Sequence, residues 1–354
     1  AYGQSTLPPG MRSRFVEGVN GLRMHVLEAG YEGKGRPALL LLHGFPELAY
    51  SWRKIMLPLA EAGYHVVAPD QRGYGRTTGW SDAFDQDLRP FSTLTLARDA
   101  LALLFAVGHR TAEAVVGHDF GAAVASWCAL TRPDIFKRCS IMSAPFAGAP
   151  ELPFDTAGAC QRSATEQSRA GEDIDIALGR LARPRKHYQR YYATREANAD
   201  MHQCPEGVTA FLRAYYHHKS ADWAENKPHR LAAWSAEELA KLPTYYVMER
   251  GLTMAETVRP FMPTQPEIAA NRWLPDSELM VYAQEYTRTG FQGGLNWYRA
   301  RCVPHLNAEL ALFGGKRITV PSCFIAGSSD WGIYQVPGAF EAMQRDVFTC
   351  MVGC

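Results

Sequence analysis

Ala114-Val115-Val116-Gly117-His118-Asp119-Phe120-Gly121-Ala122-Ala123 is the stretch that decides how the rest of the chain is read. A short β-branched run leads into a Gly-x-Asp-x-Gly turn, and an alanine-rich helical segment follows over residues 121–130. Strand, sharp turn and helix in that order make a nucleophile elbow. Such a turn strains the backbone of its central residue and needs small neighbours, so that strand and helix can approach closely. Gly117, Gly121 and Ala122 supply them. The central residue is Asp119, where a serine is more usual. A carboxylate there points away from hydrolysis by a hydroxyl nucleophile. It points towards attack on carbon, with an alkyl ester formed on the protein. Alone, the pentapeptide reads equally well as a plain turn with a solvent-facing aspartate; its surroundings tip the reading.

Upstream, residues 14–19 and 22–29 flank Asn20-Gly21, an Asn-Gly hairpin signal. Residues 38–42 are apolar on both faces, as suits a central parallel strand covered on both sides, and end in His43-Gly44-Phe45-Pro46-Glu47. A helix is expected over 51–62, and a buried strand over 65–69 that ends in Asp70-Gln71-Arg72-Gly73-Tyr74-Gly75. An amphipathic helix over 94–107 precedes the elbow, and a strand over 138–144 follows it. Strand and helix alternate up to residue 145, which predicts a doubly wound, mostly parallel sheet.

After Pro145 the texture changes. Residues 147–298 lack buried-strand runs and are rich in aromatic, basic and helix-forming residues, with helices expected over 172–182, 185–199, 206–218, 235–241 and 276–290. The sheet resumes over 318–327, where Pro321 suggests a strand start or an edge. That strand ends in Ser328-Ser329-Asp330-Trp331-Gly332; a helix over 338–345 and the beginning of a strand over 347–352 complete the sequence. The expected organisation is an α/β core over 1–145 and 301–354, interrupted by a helical cap over 146–300.

The 354 residues, 47% of them hydrophobic, suffice for one large α/β domain with an insertion or for two domains. The 37 basic and 36 acidic residues leave a net charge of +1, so there is no electrostatic footprint for nucleic acid or an anionic membrane. The eight cysteines are scattered, with no metal-ligand spacing, and read mostly as buried free thiols of a reducing compartment. No apolar run is long enough to span a bilayer, and residues 1–10 lack an apolar signal core. A cytoplasmic protein is the expectation.

Asp119 and Asp330 follow the carboxyl ends of parallel strands, the edge where open α/β sheets bind ligands. With them the chain resembles the α/β-hydrolase superfamily and, within it, the epoxide hydrolases. The carriers are His43-Gly44-Phe45-Pro46-Glu47, the segment from Asp70 to Gly75, Gly117-His118-Asp119-Phe120-Gly121, Tyr188-Gln189, and Gly294-Leu295-Asn296-Trp297-Tyr298-Arg299. The resemblance implies an α/β-hydrolase fold with an inserted helical cap and no cofactor or metal. It implies that Asp119 opens a small-molecule epoxide to give, in the end, a vicinal diol. Tyr188 and Tyr298 would donate O–H bonds to the leaving oxygen, as suits a phenol whose pKa of about 10 keeps its proton until an alkoxide forms. Asp330 would orient a histidine that activates water. The backbone N–H groups of Phe45 and Phe120 would hold the oxyanion. Pro46, Gln189 and Trp331 would line the pocket.

The superfamily's order is nucleophile, acid, histidine, yet all eleven histidines of this sequence precede Asp330. A truncated or incomplete version of a longer protein is the simplest expectation, and natural loss of the second half-reaction the alternative. Either way the chain should be alkylated by an epoxide and turn over poorly. His43 and His118 read as packing or supporting residues, and Asp70 and Arg72 as structural ties. The rival readings are a haloalkane or haloacid dehalogenase with the same aspartate, and a non-catalytic binder. Haloalkane dehalogenases usually have tryptophan after the nucleophile, where this chain has Phe120, and Asn or Trp near the His-Gly turn, where it has Phe45. The oligomeric state stays open, a homodimer among the options.

Overall fold

The strand β3 (Ala38–Leu42) lies inside an eight-stranded sheet with all five residues buried, which is why its sequence is apolar without alternation. The computed structural model describes residues 2, 3, 5–152 and 173–354. Cys160 and position 172, the start of one expected helix, lie outside the described residues. In chain order the strands are β1 (Met11–Val19), β2 (Leu22–Ala29), β3, β4 (His65–Pro69), β5 (Ala112–His118), β6 (Cys139–Met142), β7 (Arg185–His187), β8 (Val247–Glu249), β9 (Ser322–Ile325) and β10 (Met351–Gly353). The large sheet runs β1-β2-β4-β3-β5-β6-β9-β10. β1 and β2 form an antiparallel hairpin turned by Asn20 and Gly21, both at positive φ, and β2 pairs antiparallel with β4. From β4 to β10 every pairing is parallel.

Three helices pack on this sheet before the insertion: α1 (Arg53–Glu61), α2 (Thr93–Ala106) and α3 (Phe120–Thr131). One 3-10 turn, Ala49–Trp52, precedes α1, so the α-helix starts two residues after Ser51. Ser92 caps α2 by accepting the Thr95 N–H. Helix α3 is buried on nearly every side, which explains its run of alanines: larger residues would not fit between the sheet and α2.

Between β6 and β9 lie further helices, of which four bear on the site: α4 (Tyr188–Tyr192), α5 (Gly207–Lys219), α6 (Asp276–Thr289) and α7 (Gln292–Arg301). Two expectations need correcting here. The single helix expected over 185–199 is a strand, β7, followed by two short helices, α4 and Ala197–His202. And the insertion does contain strands: β7 pairs antiparallel with β8. Pro184 offers no N–H to a helix and leaves its carbonyl to accept from Arg250, while Tyr188 N–H donates to Tyr246 O at 2.9 Å. Cross-strand partners therefore satisfy the backbone that a helix would otherwise have paired.

Smaller differences follow from local chemistry. Pro321 does precede a strand start, but β9 is interior, flanked by β6 and β10. Of the seven described cysteines, all free, Cys128, Cys139 and Cys204 are buried, whereas Cys302 and Cys354 are exposed. The insertion is joined to the core where Gly73 and Gly293 meet backbone to backbone, too close for a side chain on either, and the Trp297 indole donates to Arg72 O at 2.8 Å. Among the described residues no helix is long and apolar enough to cross a membrane.

Candidate active site

Asp119 sits between β5 and α3 with φ +54° and ψ −121°, a region L-residues rarely occupy. The strain is held in place by close packing. A Cβ on Gly121 would strike the carbonyl oxygens of Leu42 and His43, so only glycine lets α3 start this near β3. Asp119 N–H donates to Met142 O at 3.2 Å, and its own carbonyl accepts from Ala122 N–H at 3.0 Å. The side chain is thereby presented at the carboxyl edge of the sheet, half-buried.

The turn after β3 faces it. Phe45 N–H donates to Asp119 Oδ1 at 3.0 Å. Gly44 makes this approach possible, because a Cβ there would overlap Asp119 Cβ and Oδ1. His43, fully buried, stitches the turn to the loop after β4: its Nε2 accepts from Gln71 N–H at 3.1 Å, which leaves Nδ1–H to donate to Gly44 O at 2.9 Å. That tautomer is neutral, in keeping with burial, which lowers the imidazole's pKa. The Phe45–Pro46 peptide is cis, and Pro46 O accepts from Tyr216 OH at 2.5 Å. The loop after β4 is tied in turn by Asp70, which accepts from Ala49 and Arg76 N–H and meets His25, and by the buried Arg72–Asp99 pair.

Glu47 closes the same turn. Its Oε2 accepts from Gly44 N–H and from His118 Nδ1, both at 2.9 Å. Burial would raise the Glu47 carboxyl, but the His118 charge and hydrogen bond, with Gly44 N–H, bring it down to about 2. Burial would likewise lower His118, yet Glu47, with Asp119 and Asp330 beyond it, lifts the imidazole to about 9. His118 is therefore an imidazolium at neutral pH, its ring 38% exposed.

The insertion contributes aromatic residues from above. Tyr188 opens α4; its OH donates to Gln335 Oε1 and accepts from Gln189 Nε2, both at 3.1 Å. Gln335 Nε2 also donates to Tyr246 OH at 3.1 Å. Tyr298, on α7, stands edge-on to Phe45 (ring centroids 5.6 Å apart), Phe120 (5.2 Å) and Tyr188 (6.0 Å). Its OH has no hydrogen-bond partner among the described residues. Burial first, and then the Asp119 charge, push both phenols up, so both keep their protons. Phe120 begins α3, where its N–H is one of the unpaired donors of a helix start.

Asp330 follows β9, two strands from β5, a lateral offset of roughly 10 Å at ordinary strand spacing. Its Oδ1 accepts from Gly332 N–H at 2.7 Å, capping the turn that holds the buried Trp331. No histidine is hydrogen-bonded to it among the described residues. Nor do the described residues bring three His, Cys, Asp or Glu together as a metal site. Sequence reasoning missed Gln335 and, through it, the link from Tyr188 to Tyr246. Gln335 lies 147 residues from Tyr188, and no local pattern signals that contact.

The fold that carries this geometry has known counterparts. A family model described as the alpha/beta hydrolase fold matches residues 37–336. The chain is 34% identical over 314 residues to epoxide hydrolase A of Mycobacterium tuberculosis, covering 88% of this chain and 80% of that protein. It is 32% identical over 313 residues to an epoxide hydrolase of Caballeronia sordidicola, covering 88% and 77%. Among solved structures, an epoxide hydrolase from an endophytic Streptomyces superposes with a TM-score of 0.73 at 28% identity, over 97% of this chain and 88% of that one. Potato epoxide hydrolase I gives 0.67 at 30% identity, over 97% and 91%.

Proposed function

Since the chain belongs to the epoxide hydrolases of the α/β-hydrolase superfamily, we propose that Asp119 is its nucleophile and that residues 146–300 form the cap over it. The observation that carries this reading is the Phe45 N–H to Asp119 Oδ1 bond at 3.0 Å, made on a strained elbow beneath the Tyr188 and Tyr298 rings. A lone pair on Asp119 forms a C–O bond to one ring carbon. The ring C–O bond breaks, its electron pair goes to the ring oxygen, and that oxygen takes a phenol proton from Tyr188 or Tyr298. The product is a hydroxyalkyl ester on Asp119 and a phenolate.

Water then adds to the ester carbonyl, and the tetrahedral oxyanion is held by the N–H groups of Phe45 and Phe120. Collapse of that intermediate releases a vicinal diol and restores the Asp119 carboxylate, and the proton lost by water restores the phenol. This step needs a base. His118 cannot be that base near neutral pH, because Glu47 keeps it protonated up to about pH 9. Asp330 is the acid that would orient a histidine here; this sequence has none after it. The residues named here equip the chain for alkylation of Asp119; the base that completes ester hydrolysis is not among them.

Intact-mass spectrometry after exposure to styrene oxide tests the reading. One adduct per chain is expected, mapping to Asp119 and absent from Asp119→Asn. Chloride release from a chloroalkane with no adduct from the epoxide would favour the dehalogenase reading instead. Phe120 and Phe45, which stand where haloalkane dehalogenases usually carry halide-binding residues, argue against that outcome.

A further inference from the structure

Lys219, the last residue of α5, is half-buried beneath three tyrosines of the insertion. Its Nζ lies 4.6 Å from the ring centroid of Tyr245, 4.7 Å from that of Tyr246 and 5.3 Å from that of Tyr215. It makes no ion pair or hydrogen bond among the described residues. Several other cations of the insertion are paired, Arg185 with Glu249 at 3.0 Å, Arg190 with Asp175 at 2.8 Å, Arg213 with Asp276 at 2.7 Å and Arg259 with Glu206 at 3.1 Å, whereas Lys186 also meets an aromatic face, 4.6 Å from the Tyr191 ring centroid. Aromatic faces hold an ammonium in place without neutralising it, and a charge withdrawn from water without an anion is costly.

The cage borders the proposed site. The Tyr246 ring stands 5.2 Å from that of Tyr188, and Gln335 bridges the two phenols. Burial opposes the Lys219 charge, yet the fields of Tyr215, Tyr245, Asp119 and Asp330 keep its proton bound, so it is no candidate for the missing base. The two carboxylates of the site would repel an anionic substrate. Lys219 is a cation placed to offset them, one tyrosine ring behind a proposed acid, while His118 is already paired with Glu47 and Arg301 lies beside Phe120 instead, 5.5 Å from its ring centroid.

We infer that Lys219 selects epoxides carrying a carboxylate next to the ring, its ammonium pairing with that carboxylate while Asp119 attacks. The inference rests on Asp119 being the nucleophile. Charge-assisted contacts of this kind are among the stronger ones available to a ligand.

The test is single-turnover ester formation, read by quenched intact mass. The probes are 3-phenylglycidate, its neutral methylamide and styrene oxide, each rate divided by that of the same epoxide with free acetate. The wild-type chain should favour the anion over the amide by about tenfold or more at subsaturating concentration. Lys219→Gln should bring that ratio close to one, and Lys219→Arg should keep most of it. A wild-type ratio at or below one overturns the inference without recourse to any variant. So does an unchanged ratio in Lys219→Gln, including the case where anion and amide slow equally, because Lys219 would then serve Asp119 rather than the substrate. Absence of an ester from all three epoxides would instead sink the hydrolase reading.

Discussion

Phe45 N–H points at Asp119 Oδ1 across 3.0 Å, and only the missing side chain of Gly44 allows it to do so. On the proposed mechanism, a donor fixed on the Asp119 carboxylate is also fixed near the oxygen of the tetrahedral intermediate that later forms from it. Gly44→Ala should therefore push the turn off the elbow. Loss of one such donor is worth about 10²–10³ in rate. Decay of the Asp119 ester, followed by intact mass, should slow by about that factor, with the circular dichroism spectrum retained.

The two phenols differ in their partners. Tyr188 is held by Gln335 and Gln189, whereas Tyr298 OH is free of hydrogen bonds to the described protein. Acid catalysis of this kind contributes about 10²–10⁴-fold. Tyr298→Phe should cost ester formation more than Tyr188→Phe, because its donor is not already engaged, and the double variant should be slower than either. Rates of Asp119 alkylation by styrene oxide check the order.

The Glu47–His118 pair makes stability depend on pH in a defined direction. His118 rises from 6.5 to about 9 on folding, so its contribution is complete below about pH 6.5 and is lost as pH climbs through 9. Glu47 falls from 4.5 to about 2, so its contribution is complete above about pH 4.5 and is lost as pH drops through 2. The pair is thus fully effective near pH 5–6. The partly exposed ring makes the effect modest. Urea midpoints of the wild type, relative to Glu47→Gln, should fall between pH 6.5 and 9.5.

Arg72 and Asp99 form a buried two-bond pair, at 2.7 and 2.8 Å. Asp99→Ala would leave the guanidinium buried without its anion, at a cost of about 3–5 kcal/mol. Urea unfolding should show that loss, and Arg72→Met combined with Asp99→Leu should recover much of it.

The elbow, the central strands and the return of the sheet at β9 were legible because each is written in contiguous residues: apolar runs, a Gly-x-Asp-x-Gly turn, an aspartate at a strand end. The insertion was less so. β7 and β8 are three residues each, too short for an alternating pattern, and what stabilises them is pairing across some sixty residues of chain. The Glu47–His118 pair and the Gln335 bridge join positions 71 and 147 residues apart. Lys219 carried no signal at all, since a lysine at a helix end is an ordinary surface residue until the adjacent Tyr245 and Tyr246, from farther along the chain, close over it.

The backbone contact between Gly73 and Gly293 gives the two phenols separate footings. Tyr298 rides on α7, which is seated directly on the loop after β4, so it stands as one jaw of a caliper. Tyr188 follows a three-residue strand whose sheet partner among the described residues is another three-residue strand, so its jaw is built from a different part of the chain. On the proposed reading, β7, β8 and Gln335 set where one phenol stands and α7 sets where the other stands, so the spacing between them is built by two separate parts of the chain.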